Sequence, residues 1–268
     1  MRLFLPHVMQ LIIIWGNHMS NNIVRFNNNI LKFPTLWTPA SISTVAWYDA
    51  SDTSTITESS GSVSQWDDKS GNDHHLEQLT ASNQPSTGTG TIDGLNAIEF
   101  QDQLLGSPFA QYLNAVTNLP QFDYVAIVLN RTFGLTFSQV VGSETLGGGN
   151  NYTIQYRGDF APDRWQNATY TNGNPLSLVR ALELFDDPAC IAVRDSLALT
   201  NFDLQVGADR GLSNRSWDGF VGEIICGSGT LTTELRQKIE GYLAWKWGTV
   251  GSLPVDHPYK YEAPRQTA

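Results

Sequence analysis

Residues 217–248, WDGFVGEIICGSGTLTTELRQKIEGYLAWKWG, change hydrophobic period once, and that change constrains the fold more than any other feature of the chain. Phe220, Val221, Ile224 and Ile225 form a β-rich apolar run opened by Asp218-Gly219, which predicts a strand. Gly222 inside that run predicts a bulge or a close approach to the backbone. The GSGT segment breaks the strand, and Leu235, Ile239, Tyr242, Leu243 and Trp247 then recur on one face of a helix. Thr232 or Thr233 is placed to cap its start, and Gly248 to close its end. Gly241 costs about 1 kcal/mol relative to alanine in a helix interior, which predicts close packing against a sheet. The pattern calls for one C-terminal helix, residues 232–247, stapled to a β structure.

Composition agrees. Only 16% of the 268 residues are charged, and Gly, Ser, Thr and Asn are abundant, which suits short strands and polar turns better than a helical bundle. A chain of this length can bury a full core, and an all-β sandwich of this size often forms one domain. The formal charge of −10 argues against nonspecific attraction to nucleic acid. No stretch reaches the roughly 20 apolar residues that span a bilayer. Cys190 and Cys226 sit in apolar, strand-like runs and are expected to be buried free thiols, a bridge between them being the alternative.

Along the chain, strands are expected at 45–48, 63–66, 95–100, 136–141, 152–156, 164–170, 190–193, 202–206 and 220–225. The run 123–130, DYVAIVLN, is the central-strand candidate, because a continuous β-branched run implies burial on both faces. Residues 58–62 are expected as a turn and 81–90 as a surface loop. Residues 176–185 are compatible with either a strand or a short helix. Gly147-Gly148-Gly149 lacks the strand, helix and lysine of a phosphate cradle, so nucleotide binding is not expected.

Three stretches carry a family resemblance: WDGFVGEI with TTELRQKIEGYLAWKWG and SLPVDHPY, AWYDASDTSTIT with SVSQWDDKSGNDHHLEQ, and GLNAIEF. Across residues 36–259 the chain resembles the concanavalin-A-like (laminin-G-like) lectin/glucanase domains found in tailed-phage and bacterial surface proteins. The resemblance implies an all-β fold, a two-sheet antiparallel jelly-roll sandwich with the C-terminal helix and an N-terminal arm. The expected organisation is an arm over 1–35, a sandwich over 36–250 and a tail over 251–268. Met19 offers an alternative start, which would make residues 1–18 an artefact of the start site.

Function follows mainly from that resemblance. It implies a noncatalytic virion protein at the particle surface, decorating the capsid or built into a tail or fibre. Its partners would be other virion proteins, in a homo-oligomeric assembly. A carbohydrate-binding adhesin for a host surface glycan is the main rival, and a glycoside hydrolase the enzyme alternative. Related glucanases carry closely alternating acids on one strand, and that pattern is missing here. Glu223 sits among apolar neighbours and Asp218 in a WDG turn, and both are better read as strand-end hydrogen-bonding residues, so no catalytic residue is assigned.

Four groups of side chains remain as candidates. Asp67, Asp68, Asn72 and Asp73 place oxygen ligands around Gly71, as Ca2+ prefers, yet the same residues are ordinary turn formers and no cofactor is required. His74-His75 is expected to be a solvated loop pair. Trp165 and Tyr170 are the aromatic candidates for a glycan site, whereas Trp47, Trp66, Trp217 and Trp247 are expected in packing. In the arm, Leu11, Ile13, Trp15, Phe26 and Phe33 are candidates for docking on a partner, in a segment expected to be extended with one short strand.

Overall fold

The structure is a computed structural model that describes residues 23–26, 29–32, 35–101, 110–133, 137–144, 154–157, 169–175, 188–199, 201–208, 210 and 215–266. The chain divides into two compact units, 1–36 with 265–268, and 37–264. The smaller unit holds a hairpin of β1 (Ile23–Phe26) and β2 (Asn29–Lys32), in which Val24 pairs with Leu31 and Arg25 with Ile30. Two strands therefore stand where one was expected. In the same unit, an antiparallel bridge joins Leu36 to Arg265.

The larger unit is all-β apart from one α-helix among the described residues. In chain order its strands are β3 (Thr44–Asp49), β4 (Ile56–Ser59), β5 (Ser62–Trp66), β6 (Leu76–Glu77), β7 (Ser86–Ile92) and β8 (Leu95–Phe100). Then come β9 (Leu113–Ala115), β10 (Phe122–Phe133), β11 (Phe137–Ser143), β12 (Ile154–Arg157), β13 (Thr169–Thr171) and β14 (Asn174–Pro175). The last three are β15 (Ala189–Leu199), β16 (Leu204–Val206) and β17 (Asp218–Gly227), followed by α1 (Thr233–Lys246). The pairings are antiparallel, in the order β12-β11-β16-β9-β6-β5-β7-β8-β17-β10-β15-β13-β14, with β3 also on β17 and β4 also on β5.

The sheet curls at β7, which touches β5 through a single pair, Ser62 with Ser86, and continues on β8. Both halves therefore turn an apolar face into one core. Trp66, Leu76, Leu113, Val206 and Val141 come from one half, and Val125, Ile127, Leu129, Ile224 and Tyr48 from the other. This is a sandwich-like all-β fold. Each large side chain buried there contributes about 1.5–3 kcal/mol.

Strand β10 is buried on both faces, as its uninterrupted apolar run predicts. Val125, Ile127 and Leu129 point into that core, while Tyr124, Ala126 and Val128 join a second cluster under α1. The helix contributes Ile239, Leu243 and Trp247 to the second cluster, with Leu235 and Tyr242 partly buried beside them. Its start is capped by Thr232, whose Oγ1 accepts the Leu235 N–H at 3.2 Å. Gly248 ends it in the left-handed region at φ 73°.

Several local expectations are corrected. The expected loop 81–90 contains most of β7, because β8 offers a paired edge over its Thr and Gly residues. Of the expected turn 58–62, Ser60 and Gly61 alone turn; Glu58 and Ser59 extend β4 against β5. Gly241 packs against Tyr259 of the C-terminal segment, not against a sheet: a Cβ there would lie 2.5 Å from the Tyr259 Cβ. Residues 176–185 and 147–149 lie outside the described residues.

Gly222 does both things expected of it. It is the extra residue between the pairs Val128–Glu223 and Leu129–Val221, a β-bulge. A Cβ there would also lie 2.8 Å from the Trp247 ring. The bulge resets the alternation of β17, so that Val221 and Ile224 both enter the main core and Glu223 stays on the helix side. It also marks where β17 exchanges neighbours, from β8 over Gly219–Val221 to β3 from Glu223 onward.

Candidate functional site

Two polar arrays stand out in the larger unit, one closed and one spread across a sheet face. The closed array lies under α1. Glu223 is fully buried, and its carboxylate accepts from the Trp47 indole at 2.7 Å, the Tyr242 hydroxyl at 2.9 Å, the Trp247 indole at 2.8 Å and Lys246 Nζ at 2.7 Å. Four donors match the roughly four acceptor positions of a carboxylate. Lys246 also reaches Asp49 Oδ1 at 2.6 Å. Lys69 then bridges Asp49 at 2.9 Å and Asp52 at 2.8 Å, carrying the chain of charges out to solvent.

The electrostatics follow from this order. Burial pushes the Asp49 carboxyl up, but the Lys246 charge and hydrogen bond, with help from Ser51 and Lys69, hold it below its ordinary value. Hydrogen bonds from Lys69 and Ser54 lower Asp52. Burial works against the charge of Lys69, yet Asp52 and Asp49 raise it above the usual ammonium value. Burial, and then the neighbouring Glu223, push the Tyr242 hydroxyl well up, so it stays a donor. Strand-end hydrogen bonding, the expectation for Glu223, is thus corrected to a mid-strand acceptor that ties β3, β17 and α1 together. Asp218, by contrast, is the first residue of β17 and is buried there, the strand-end position expected of it.

The second array comes from strand register. In the half-sheet β4-β5-β6-β9-β16-β11, Thr57 pairs with Gln65, Gln65 with Glu77, Glu77 with Asn114, Asn114 with Gln205 and Gln205 with Gly142. These residues share one face, because the alternate row (Ile56, Trp66, Leu76, Ala115) packs on the main core. The result is a transverse line of hydroxyl, amide, carboxylate and amide groups over rigid strands. Gln205 is buried and donates to Asn114 Oδ1 at 2.8 Å. Gly142 ends the line, and the Gln139 carboxamide fills the space its side chain would take.

Thr57 is exposed, and Gln65, Glu77 and Asn114 are half-buried. Gln65 donates to Asp67 Oδ1 at 2.5 Å. Among the described residues Glu77 has no ion-pair partner. Leu79 and Val116, two residues past Glu77 and Asn114, are 86% and 54% exposed and put apolar contact area beside the polar line. None of these residues was singled out from sequence. Their signal was the single polar residue inside each short apolar strand (Leu76-Glu77, Leu113-Asn114-Ala115, Leu204-Gln205-Val206), but only register shows that the polar residues align.

The four loop oxygens considered for a cation do not converge. Asp68 turns inward and accepts the Trp47 and Ser70 N–H groups at 2.9 and 2.8 Å, the Ser70 hydroxyl at 2.7 Å and the His74 N–H at 3.2 Å. Asn72 donates to the Thr44 and Val45 carbonyls at 2.9 and 3.0 Å. Asp67 and Asp73 lie near opposite nitrogens of His75, at 3.5 and 3.8 Å. His75 Nδ1 takes the Asp68 N–H at 3.1 Å, and His74 Nδ1 is 3.0 Å from the Thr117 hydroxyl, so both rings hold protein partners. Among the described residues no group of three or more His, Cys, Asp or Glu is gathered as a metal ion would need.

Tyr170, one of the two aromatic glycan candidates, is half-buried in β13, and the Arg236 guanidinium lies 3.6 Å over its ring. Arg236 in turn holds Glu240 at 2.6 Å, and His257 approaches Glu240 at 3.3 Å. Trp165 lies outside the described residues, as do Leu11, Ile13, Trp15 and Phe33; Phe26 ends β1. Trp47, Trp66, Trp217 and Trp247 are all buried, as expected. Cys226 is a buried free thiol that burial pushes up, away from thiolate reactivity. The strand carrying Cys190 is β15. Among the described residues no helix is long and apolar enough to cross a membrane.

Comparison with family models, with curated proteins and with solved structures finds no match.

Proposed function

We propose that the protein is a noncatalytic recognition module of a virion surface, a jelly-roll sandwich of the concanavalin-A-like kind that binds a carbohydrate on its polar sheet face. The observation that carries this proposal is the transverse line Thr57–Gln65–Glu77–Asn114, backed by Gln205. Hydroxyl, carboxamide and carboxylate groups at strand spacing suit a polyhydroxylated ligand, since each can exchange hydrogen bonds with sugar hydroxyls. The opposite half-sheet is covered by α1, whereas on this face Thr57 is exposed and Gln65, Glu77 and Asn114 are half-buried.

The virion setting, in the capsid or a tail or fibre of a tailed phage, rests on the sequence resemblance, as do other virion proteins as partners. The resemblance by itself implies contact through those proteins, and the polar line is the observation that supports a glycan beside them. Binding without turnover is supported by the carboxylates themselves. Glycoside hydrolysis commonly uses two carboxyl groups flanking the bond, and here Glu77 lies in the line while Asp67 beside it already accepts from Gln65 and faces His75 at 3.5 Å. Glu223 is committed to four internal donors.

Passing the purified chain over immobilised bacterial surface polysaccharides tests the proposal. Retention without release of reducing ends is expected. No retention on any polysaccharide, or turnover that disappears in Glu77→Gln, would overturn it.

A further inference from the structure

The polar face has a direction, a length and a charge, and together these narrow its ligand. The line runs across the strands, so an occupant following it lies perpendicular to them. An extended peptide uses sheet hydrogen bonding along an edge strand, parallel to its neighbours. A chain of rings with hydroxyls along both rims has no such requirement. From Thr57 to Asn114 the line crosses four strands, three spacings or roughly 14 Å, the length of about three pyranose units. Beyond Asn114 it closes, because Gln205 is buried.

Charge decides between neutral and acidic sugars. Glu77 sits in the middle of the line with no ion-pair partner among the described residues, flanked by Gln65 and Asn114. Asp67 accepts from Gln65 beside it, and the chain as a whole carries −10. A uronate placed on this line would meet a carboxylate that no cation among the described residues pairs with, and like charges in juxtaposition are strongly disfavoured. A neutral sugar meets the same carboxylate as a strong acceptor for its hydroxyls. Leu79 and Val116 offer the apolar C–H faces of such rings a place to rest.

Resting on the binding role proposed above, we infer that the ligand is a neutral, linear glycan engaged over about three sugar units across β4, β5, β6 and β9, and that Glu77 is the residue that excludes acidic polysaccharides.

Titration calorimetry of the full chain tests this with neutral gluco-, galacto- and manno-oligosaccharides, from monosaccharide to hexamer, and with oligogalacturonates. Affinity for at least one neutral series is expected to rise to about the trimer and then level off, with galacturonates at least about tenfold weaker at low salt. Asn114→Ala should abolish neutral binding, and Glu77→Gln should narrow the gap to the acidic series while the melting temperature is unchanged. Binding of acidic oligomers as tight as neutral ones, or neutral binding indifferent to both substitutions, overturns the ligand assignment and leaves the carbohydrate role standing. Absence of binding to either series and to the immobilised polysaccharides overturns both. Concentration-dependent self-association that Asn114→Ala or Leu79→Ser abolishes would identify a second copy of the chain as the occupant and likewise overturn the inference.

Discussion

Glu223 shows how much one residue can settle. A carboxylate taken out of water is costly unless every lone pair is met, and here two indoles, a phenol and an ammonium meet it. Glutamine is nearly isosteric, but it offers one acceptor oxygen and turns an NH2 toward groups that are themselves donors. Glu223→Gln is therefore expected to cost about 3–5 kcal/mol, lowering the melting temperature by roughly 6–20 °C at this chain length; thermal unfolding followed by circular dichroism checks it, and a drop of only a degree or two would sink the assignment. The outer members of the network set its pH range. Asp49 and Asp52 are held below their ordinary values, so their contribution is complete above about pH 4 and is lost as pH falls through their lowered values. Lys69 is raised, so its contribution is present below about pH 10 and fades above that. The difference in denaturant midpoint between the native chain and Asp49→Asn should therefore hold constant between about pH 5 and 9 and shrink on the acid side. From the sequence, GEII reads as a strand with one odd acid. The partners that explain it stand 176 and 24 positions away, at Trp47 and Trp247, and no local pattern joins them.

At the scale of elements, the helix and the strand before it were legible because their signals are local. Leu235, Ile239, Tyr242, Leu243 and Trp247 mark a face at helical spacing, and the cap and stop residues sit at its ends. Strand β10 announced itself by a run with no polar gap. Strand β7 did not, because STGTGTI has turn composition and becomes a strand through its pairing with β8. The same reason hid the polar line: Glu77 and Asn114 belong to strands of two and three residues, too short to show a period. Leu243→Asp would bury an unpaired charge in the second apolar cluster, and a loss of about 3 kcal/mol or more is expected. An unchanged melting temperature would show that α1 does not pack as described. The loop after β5 carries a prediction of a different kind. Since Asp68 already accepts four hydrogen bonds, Asp68→Ala is expected to destabilise by about 1–3 kcal/mol in the presence of chelator as much as in calcium. A midpoint that rises with calcium in the native chain and no longer rises in Asp68→Ala would instead establish a cation site, because binding to the native state alone produces such a shift.

At the scale of the molecule, the two compact units frame the last prediction. Residues 37–264 contain both apolar clusters, the buried charge network and the polar face, and hydrogen bonds internal to that unit close its ends, with Trp37 N–H donating to the Pro264 carbonyl at 2.9 Å. The hairpin of β1 and β2 belongs to the other unit and has four residues per strand. A lone two-stranded hairpin is marginal in water, and ordering its backbone costs about 1–2 kcal/mol per residue. Such a segment gains a defined structure most readily by docking on something else, which is what the virion role proposed above would require of it. If the virion and glycan roles proposed above hold, a chain beginning at Leu36 is accordingly expected to fold with the same thermal midpoint to within a few degrees, to keep the proposed affinity for glycan, and to be lost from assembled particles. Circular dichroism, calorimetry and the copy number per particle separate these three outcomes. A shortened chain that does not fold would place the arm in the folding unit of the sandwich, and one that assembles at full copy number would remove the docking role, with glycan binding left intact in that second case because the residues of the polar face all lie within 57–205.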